Sequence, residues 1–394
     1  MSKRTFGAFA GLAAAGLLLA ACGGSTTGTS SSAPAESSAP AQTSAPAESS
    51  APAETSAPAE PAAVPKIGVI LPDAASSARW ETADRPFLEQ AFQAAGVEYD
   101  IQNANGDKAK FATIADQMIN EGVSALLLVN LDSPSAAAVI KKASDQGIPT
   151  IDYDRLTLGG NANYYVSFDN VAVGTKIGEG LVKCLQDGGK DKGPVVLLNG
   201  SPTDNNATLF KEGYEKVVKD AGYTVAADQA VPDWDNTKAG TIFEQIYTET
   251  GGDIIGVASA NDGLGGAAIA VLERNGVAGQ IPVTGQDATD EGLQRVLLGT
   301  QCMTVYKAIK AEADAASALA IALANGDTAA AEALAEGSVT DTETGGTVKA
   351  VLLEPVAIFP ENVKDVIADG FTTYDRVCTT EELKKKCEEY GITP

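Results

Sequence analysis

The sequence predicts an α/β protein made of two doubly wound parallel sheets. Short apolar runs alternate with helical patterns from Lys66 onward, which is the rhythm of βαβ units. That rhythm restarts near Tyr165. The roughly 330 residues that follow the N-terminal region are more than one hydrophobic core comfortably holds, so two lobes are expected.

Taken in order, Lys66-Ile-Gly-Val-Ile-Leu71 reads as a buried strand. A helical pattern runs from about Ala78 to Ala95 and stops at Gly96; Pro86 inside it predicts a kink or a late start. A strand near Tyr99–Ala104 follows, then a helix near Lys108–Asn120, a strand Ala125–Asn130, a helix near Ser135–Asp145 and a strand Pro149–Asp154. The second series has strands near Tyr165–Phe168, Val195–Asn199, Val225–Ala230, Ile254–Ala258 and Val283–Gln286, each before a helical stretch. Met303–Tyr306 then leads into a helix over Ala308–Ala324, and a long apolar segment, Val348–Phe359, comes near the end.

The chain before Lys66 is of a different kind. Lys3 and Arg4 precede an apolar run that ends at Leu19-Ala20-Ala21-Cys22. Positive charge, a short apolar stretch and small residues before a cysteine make up a lipoprotein signal, removed at 1–21 and leaving a lipid on Cys22. The run is too short for a comfortable spanning helix, which needs about 20 residues. Residues 22–65 are Ser, Thr, Ala, Pro, Gly and Glu almost throughout, with prolines at 34, 40, 46, 52 and 58. Such a segment has too little apolar surface to order itself and reads as a disordered spacer. The expected localisation is extracytoplasmic, on the outer face of the cytoplasmic membrane, with the lipid as the only membrane contact.

Composition excludes several functions. Net charge is −24, from 52 acidic and 28 basic residues, which argues against nucleic acid. The chain has no histidine, which removes His-based triads, His metal ligands and the commonest general base. Neither a metal nor a cofactor is implied. Four cysteines remain after Cys22, an even number in an exported chain, and they allow three disulfide pairings. Cys184–Cys302 with Cys378–Cys387 is favoured. The second pair is geometrically demanding, because Thr379 and Glu382 suggest a capping box and nine helical residues would span roughly 13 Å. That bond requires Cys378 to fold back before a short, late helix.

Polar residues cluster just past the predicted strand ends, where open α/β sheets bind ligands. They are Arg79 and Trp80, Asp154 and Arg155, Asp204 and Asn206, Trp234, Asn261, Asp287 and Lys307. This set suits a polyol, whose hydroxyls both donate and accept: Asp accepts, Asn does both, Arg and Lys donate. The two tryptophans can cover the apolar faces of a sugar ring. Each motif alone has a plainer reading. Asp154-Arg155 is in isolation a solvated ion pair, and Asp204-Asn205-Asn206 a turn or helix cap. Gly263-Leu264-Gly265-Gly266 lacks the Lys-Ser/Thr of a phosphate loop and reads as close packing at a helix start. Nothing in the spacing makes Asp204 and Asp287 a glycosidase pair.

Together these stretches resemble a known family. Ser76-Ser77-Ala78-Arg79-Trp80, Tyr153-Asp154-Arg155-Leu156, Ser167-Phe168-Asp169-Asn170, Gly200-Ser201-Pro202-Thr203-Asp204-Asn205-Asn206-Ala207, Thr284-Gly285-Gln286-Asp287-Ala288 and Met303-Thr304-Val305-Tyr306-Lys307 are similar to motifs of the xylose-binding proteins of ABC sugar importers, within the ribose-type periplasmic binding proteins. The Ser-Ala-Arg-Trp form is closer to the multi-sugar binders. The resemblance covers about 66–371. It implies the type I periplasmic binding protein fold, two Rossmann-like lobes joined by three crossover strands. Lobe 1 would span about 66–168 and 307–343, lobe 2 about 169–306 and 344–376, with 377–394 a cysteine-containing tail. It further implies that Arg79, Asp154, Arg155, Asp204, Asn206, Asn261, Asp287 and Lys307 hydrogen-bond one aldose while Trp80 and Trp234 stack on it. The implied partners are a monosaccharide, xylose first, and an ABC permease. The chain is then a monomer and no enzyme. Broad aldose specificity, or presentation of sugar to a sensory receptor, are the alternative readings.

Overall fold

The computed structural model describes residues 64–394. The signal segment, Cys22 and most of the spacer lie outside the described residues. The first lobe opens with β1 (Lys66–Leu71), α1 (Arg85–Ala95), β2 (Glu98–Asn103), α2 (Lys108–Asn120), β3 (Ala125–Leu128), α3 (Ser133–Asp145), β4 (Thr150–Tyr153) and β5 (Tyr164–Phe168). The chain then enters the second lobe with α4 (Asn170–Asp187), β6 (Pro194–Asn199), α5 (Asn205–Asp220), β7 (Thr224–Ala230), α6 (Asn236–Glu249), β8 (Gly256–Ser259), α7 (Asp262–Arg274), α8 (Asp290–Leu298) and β9 (Thr304–Tyr306). It returns to the first lobe for α9 (Ile309–Ala324), α10 (Thr328–Leu334), β10 (Gly337–Thr340) and β11 (Thr347–Leu353). It ends in the second with β12 (Val356–Ile358), α11 (Val363–Ala368), α12 (Tyr374–Val377) and α13 (Glu381–Glu389).

The first sheet has the order β10-β11-β5-β4-β3-β1-β2. All its pairs are parallel except β10 with β11. The second has β7-β6-β8 in parallel. Isolated bridges, Val257 with Val283 and Thr284 with Met303, extend it to β9, on which β12 lies antiparallel. The expected strand over Val283–Gln286 is thus a bridge-paired extended segment. The chain passes between lobes three times: after Phe168, at Lys307 and after Leu353.

Strand alternation builds the core of the first lobe. Ile67, Val69 and Leu71 of β1 face one side, with Leu88 and Phe92 of α1 and Leu319 of α9. Ile70 faces the other, with Phe111 and Met118 of α2 and Ile140 of α3. One continuous cluster packs the second lobe around its sheet and α4–α7, from Ile177 and Leu181 through Leu197 and Phe243 to Leu272. Pro86 acts through a late start: Trp80–Asp84 is a wide π-type turn, and α1 begins at Arg85 with the proline in its first turn.

Two boundaries differ from the sequence expectation. The apolar segment 348–359 is two strands in two sheets. Thr347–Leu353 pairs with β5 in the first lobe, and the crossing falls at Glu354-Pro355, well beyond residue 344. Proline cannot donate to a ladder, so pairing breaks there. The tail after residue 376 is also no appendage: Val377, Leu383, Cys387 and Ile392 pack with Leu293 and Val296 of α8. The cysteines stand at disulfide distance in the favoured pairs, with Cα separations of 6.5 Å for Cys184–Cys302 and 6.3 Å for Cys378–Cys387. The helical cap is Thr380, not Thr379, and this later start lets Cys378 fold back.

Candidate functional site

Every residue singled out at a strand end lines one cavity between the lobes, and Ser76, Ser77, Phe210 and Gln286 join them. The lobes meet at its centre. The space left clear inside is about 30 Å³, room for one or two waters, so a larger ligand enters only by parting the contacts across the cleft.

Asp154 is the hinge of the site. It follows β4 with φ 63°, a left-handed conformation disfavoured for a residue with a Cβ. Its carbonyl holds it there, accepting from Ser167 Oγ and Asn206 Nδ2 at 2.8 Å each and from Tyr165 Oη at 3.0 Å. Asn206 comes from the other lobe, and its Oδ1 accepts from Asn170 Nδ2 at 3.0 Å. The Asn206 amide is therefore spent inside the protein, its Nδ2 on Asp154 and its Oδ1 on Asn170. Burial alone would raise the Asp154 pKa, but Lys307, Arg79 and Arg155 outweigh it and hold it at about 2.

Arg79 is a buried hub. Nε and Nη2 donate to the two carboxylate oxygens of Asp84 at 2.9 and 2.7 Å, Nη1 to Asp154 at 2.8 Å, and Nη2 to Glu312 at 2.6 Å. Burial disfavours its charge, yet Asp84, Asp154 and Glu312 together hold it cationic. Its guanidinium carbon lies 4.4 Å from the centre of the Trp80 ring, with that of Arg155 at 5.5 Å. Trp80 Nε1 donates to Ser76 Oγ at 3.2 Å.

Asp204 works with both oxygens. Oδ1 caps α5 by accepting from the Asn206 N–H at 2.9 Å. Oδ2 accepts from Trp234 Nε1 at 3.1 Å and faces Arg155 Nε across the cleft at 3.0 Å. The helix-cap reading and the cleft reading of this residue are thus both realised. Trp234 leans edge-on to Phe210, and a side chain on Gly200 would overlap its ring: an added Cβ would lie 2.0 Å from the indole. Lys307, on the second crossover, sits 3.4 Å from Asp154 of one lobe and 3.5 Å from Asp287 of the other. Asp287 (φ 99°) also lies 3.5 Å from Ser77 Oγ. Asn261 caps α7 through Oδ1, which leaves its Nδ2 toward the cavity.

Beyond Ser76, Ser77 and Phe210, two more residues lie outside the set expected from the sequence. Gln286 is buried in the lining and its Oε1 has no protein partner, an acceptor ready for a hydroxyl. Its place beside Asp287 was the available signal. Glu312 is fully buried on α9; burial pushes its pKa up, against the pull of Arg79. A lone acid among Ile309, Ala313 and Ala316 was the signal there. Of seven non-glycine residues with positive φ among those described, Asp154, Trp234 and Asp287 line this cavity. Backbone strain of this kind concentrates at ligand sites.

Fold and site define a two-lobed α/β binding protein whose ligand cleft lies between the carboxyl ends of two sheets. The periplasmic binding protein domain matches residues 67–328, and the chain belongs to that family. It is 34% identical over 311 residues to the D-xylose-binding periplasmic protein of Escherichia coli, covering 78% of this chain and 90% of that one. It is 33% identical over 328 residues to the multiple sugar-binding periplasmic receptor ChvE of Rhizobium radiobacter, covering 77% and 89%. An ABC transporter solute-binding protein of Clostridium phytofermentans, solved with β-D-glucose, superposes with a TM-score of 0.71 at 26% identity, covering 79% of this chain and 99% of that one. No helix among the described residues is long and apolar enough to cross a membrane.

Proposed function

We propose that the chain is an extracytoplasmic sugar-binding protein that captures an aldopentose, D-xylose first, and delivers it to an ABC-type import permease. The gathering of the strand-end carboxylates, amides, cations and two indoles in one inter-lobe cavity carries this reading. In it, Asp154, Asp287, Asp204 and Gln286 accept from sugar hydroxyls. Lys307, Arg79, Arg155 and Asn261 donate, Trp80 and Trp234 flank the ring, and Asn206 acts by holding Asp154. Binding parts the Arg155–Asp204 and Lys307–Asp287 contacts and replaces them with contacts through the sugar. The relatives named for xylose at 34% and 32% identity support the pentose. Those named for multiple sugars, at 32% and 33%, favour a second reading with broad aldose specificity.

A thermal-shift panel of monosaccharides tests the assignment, since a ligand that binds only the native state raises the midpoint. Xylose should give the largest rise. Equal rises with glucose, galactose and arabinose would favour the broad reading, and no rise with any aldose would overturn both. The lipid on Cys22 belongs to the same proposal: Cys22→Ser should move the protein from membrane to soluble fraction, and continued membrane retention would refute the anchor.

A further inference from the structure

Beside the central cavity lies a larger one of about 480 Å³, and the two share Ser76, Arg155, Asp204 and Trp234 as a common wall. Both lobes contribute to the larger chamber: Asn105 and Lys108 from the first, Thr203, Thr237 and Lys238 from the second. A pentose ring displaces about five waters, on the order of 150 Å³. The chamber can therefore take another ring that the central cavity cannot.

Its chemistry is that of a neutral polyol. Hydroxyls, amides and carboxylates line it, and each cation there is already paired. Lys108 is bound to Asp132, Lys238 to Asp233 at 2.7 Å and Arg155 to Asp204 at 3.0 Å. With Asp73 and Asp235 also on the wall, a sugar acid would meet net negative charge. The aromatic boundary is held under strain. Asp233 and Trp234 are consecutive non-glycine residues with φ of 60° and 54°, and the Asp233 N–H donates to Ser201 Oγ at 3.2 Å. The fold thus sustains an unfavourable backbone to set an indole between two polar spaces. A third cavity, about 370 Å³ on the other side of the loop carrying Ser76 and Ser77, has no aromatic residue in its lining.

We propose that the cleft accepts a neutral disaccharide, one ring in the central site and the second in the chamber beyond Trp234. This rests on the sugar-binding reading above, and the test separates the two. Calorimetric titrations of the delipidated full chain are run with xylose and with β-1,4-xylobiose. The inference expects xylobiose to bind within about tenfold of xylose. Thr237→Trp and, independently, Lys108→Trp place bulk in the chamber away from the central lining. Each should cost xylobiose on the order of 100-fold while xylose affinity stays within about threefold. Two variants guard against one failing to fold, and each is checked by its melting midpoint. Xylose binding without xylobiose binding would overturn the inference and leave the sugar-binding reading standing. So would a xylobiose affinity that neither tryptophan changes. Failure of every sugar on the wild type would overturn both.

Discussion

Replacing Arg79 by methionine removes the cation at the centre of three buried carboxylates. Arg79 is 3% exposed as a side chain, Asp84 and Glu312 are 0% and Asp154 is 5%. The substitution deletes four hydrogen bonds of 2.6–2.9 Å. Asp84 retains Tyr153 Oη at 2.6 Å and Asp154 retains Lys307 at 3.4 Å, while Glu312 loses its hydrogen-bond donor. Removing one member of a buried pair costs about 3–5 kcal/mol, because the other charge is left uncompensated. The cost is capped because a stranded carboxylate takes up a proton, at about 1.4 kcal/mol per pH unit. Arg79→Met should therefore destabilise by about 3–5 kcal/mol near neutral pH and by less near pH 5. Urea unfolding at both pH values, with sugar absent, measures this. A loss below about 1 kcal/mol, or one of equal size at both pH values, would refute the hub.

Other expectations follow from the same geometry. Burial pushes Asp152 up to about 7 and Asp262 up to about 6, both from an ordinary 3.8. Each keeps its proton longer in the folded chain, so its contribution is full below about 3.8 and is lost as pH rises through 6 and 7. Asp154 at about 2 acts oppositely, and its contribution is lost only as pH falls toward 2. The melting midpoint should thus fall between pH 5 and pH 8, and a rise in calorimetric scans would contradict this. Gly200→Ala drives the Trp234 indole from its seat and should weaken sugar binding at least about tenfold with a shifted tryptophan emission. Unchanged titration and emission would show that the indole is not wedged there. Reducing Cys184–Cys302, which closes 118 residues, should cost about 4–5 kcal/mol in the chain-entropy account. Peptide mapping without reductant should find both bonds, and free thiols at any of the four positions would count against the pairing.

The sheets and the strand-end residues were legible because they depend on local signals. A buried parallel strand is a short apolar run, and ligand residues follow its end. Pro86 announced the late helix start. What stayed hidden depends on distant partners. Glu312 meets Arg79 across 233 positions, and nothing near it states that the helix faces a guanidinium. Asn206 was legible as a site residue, but its service to the Asp154 carbonyl follows from the inter-lobe seam. The split of residues 348–359 between two sheets was marked only by Glu354-Pro355, since both halves are equally apolar. The tail looked separate because its apolar residues are few, and their burial against α8 is a tertiary fact.

The most direct test of the account is calorimetric titration of the wild type and of Asp287→Ala with D-xylose, arabinose, ribose, glucose and galactose. Asp287 lines the cavity and faces Lys307 and Ser77, while the hydrophobic cores do not depend on its carboxylate. The wild type should bind xylose at one site per chain. Asp287→Ala should keep its fold and lose about 2–5 kcal/mol of binding free energy, roughly 30-fold to several thousand-fold in affinity. Xylose binding that is indifferent to Asp287→Ala would place the sugar elsewhere, and a wild type that binds none of the five would contradict the account at its centre.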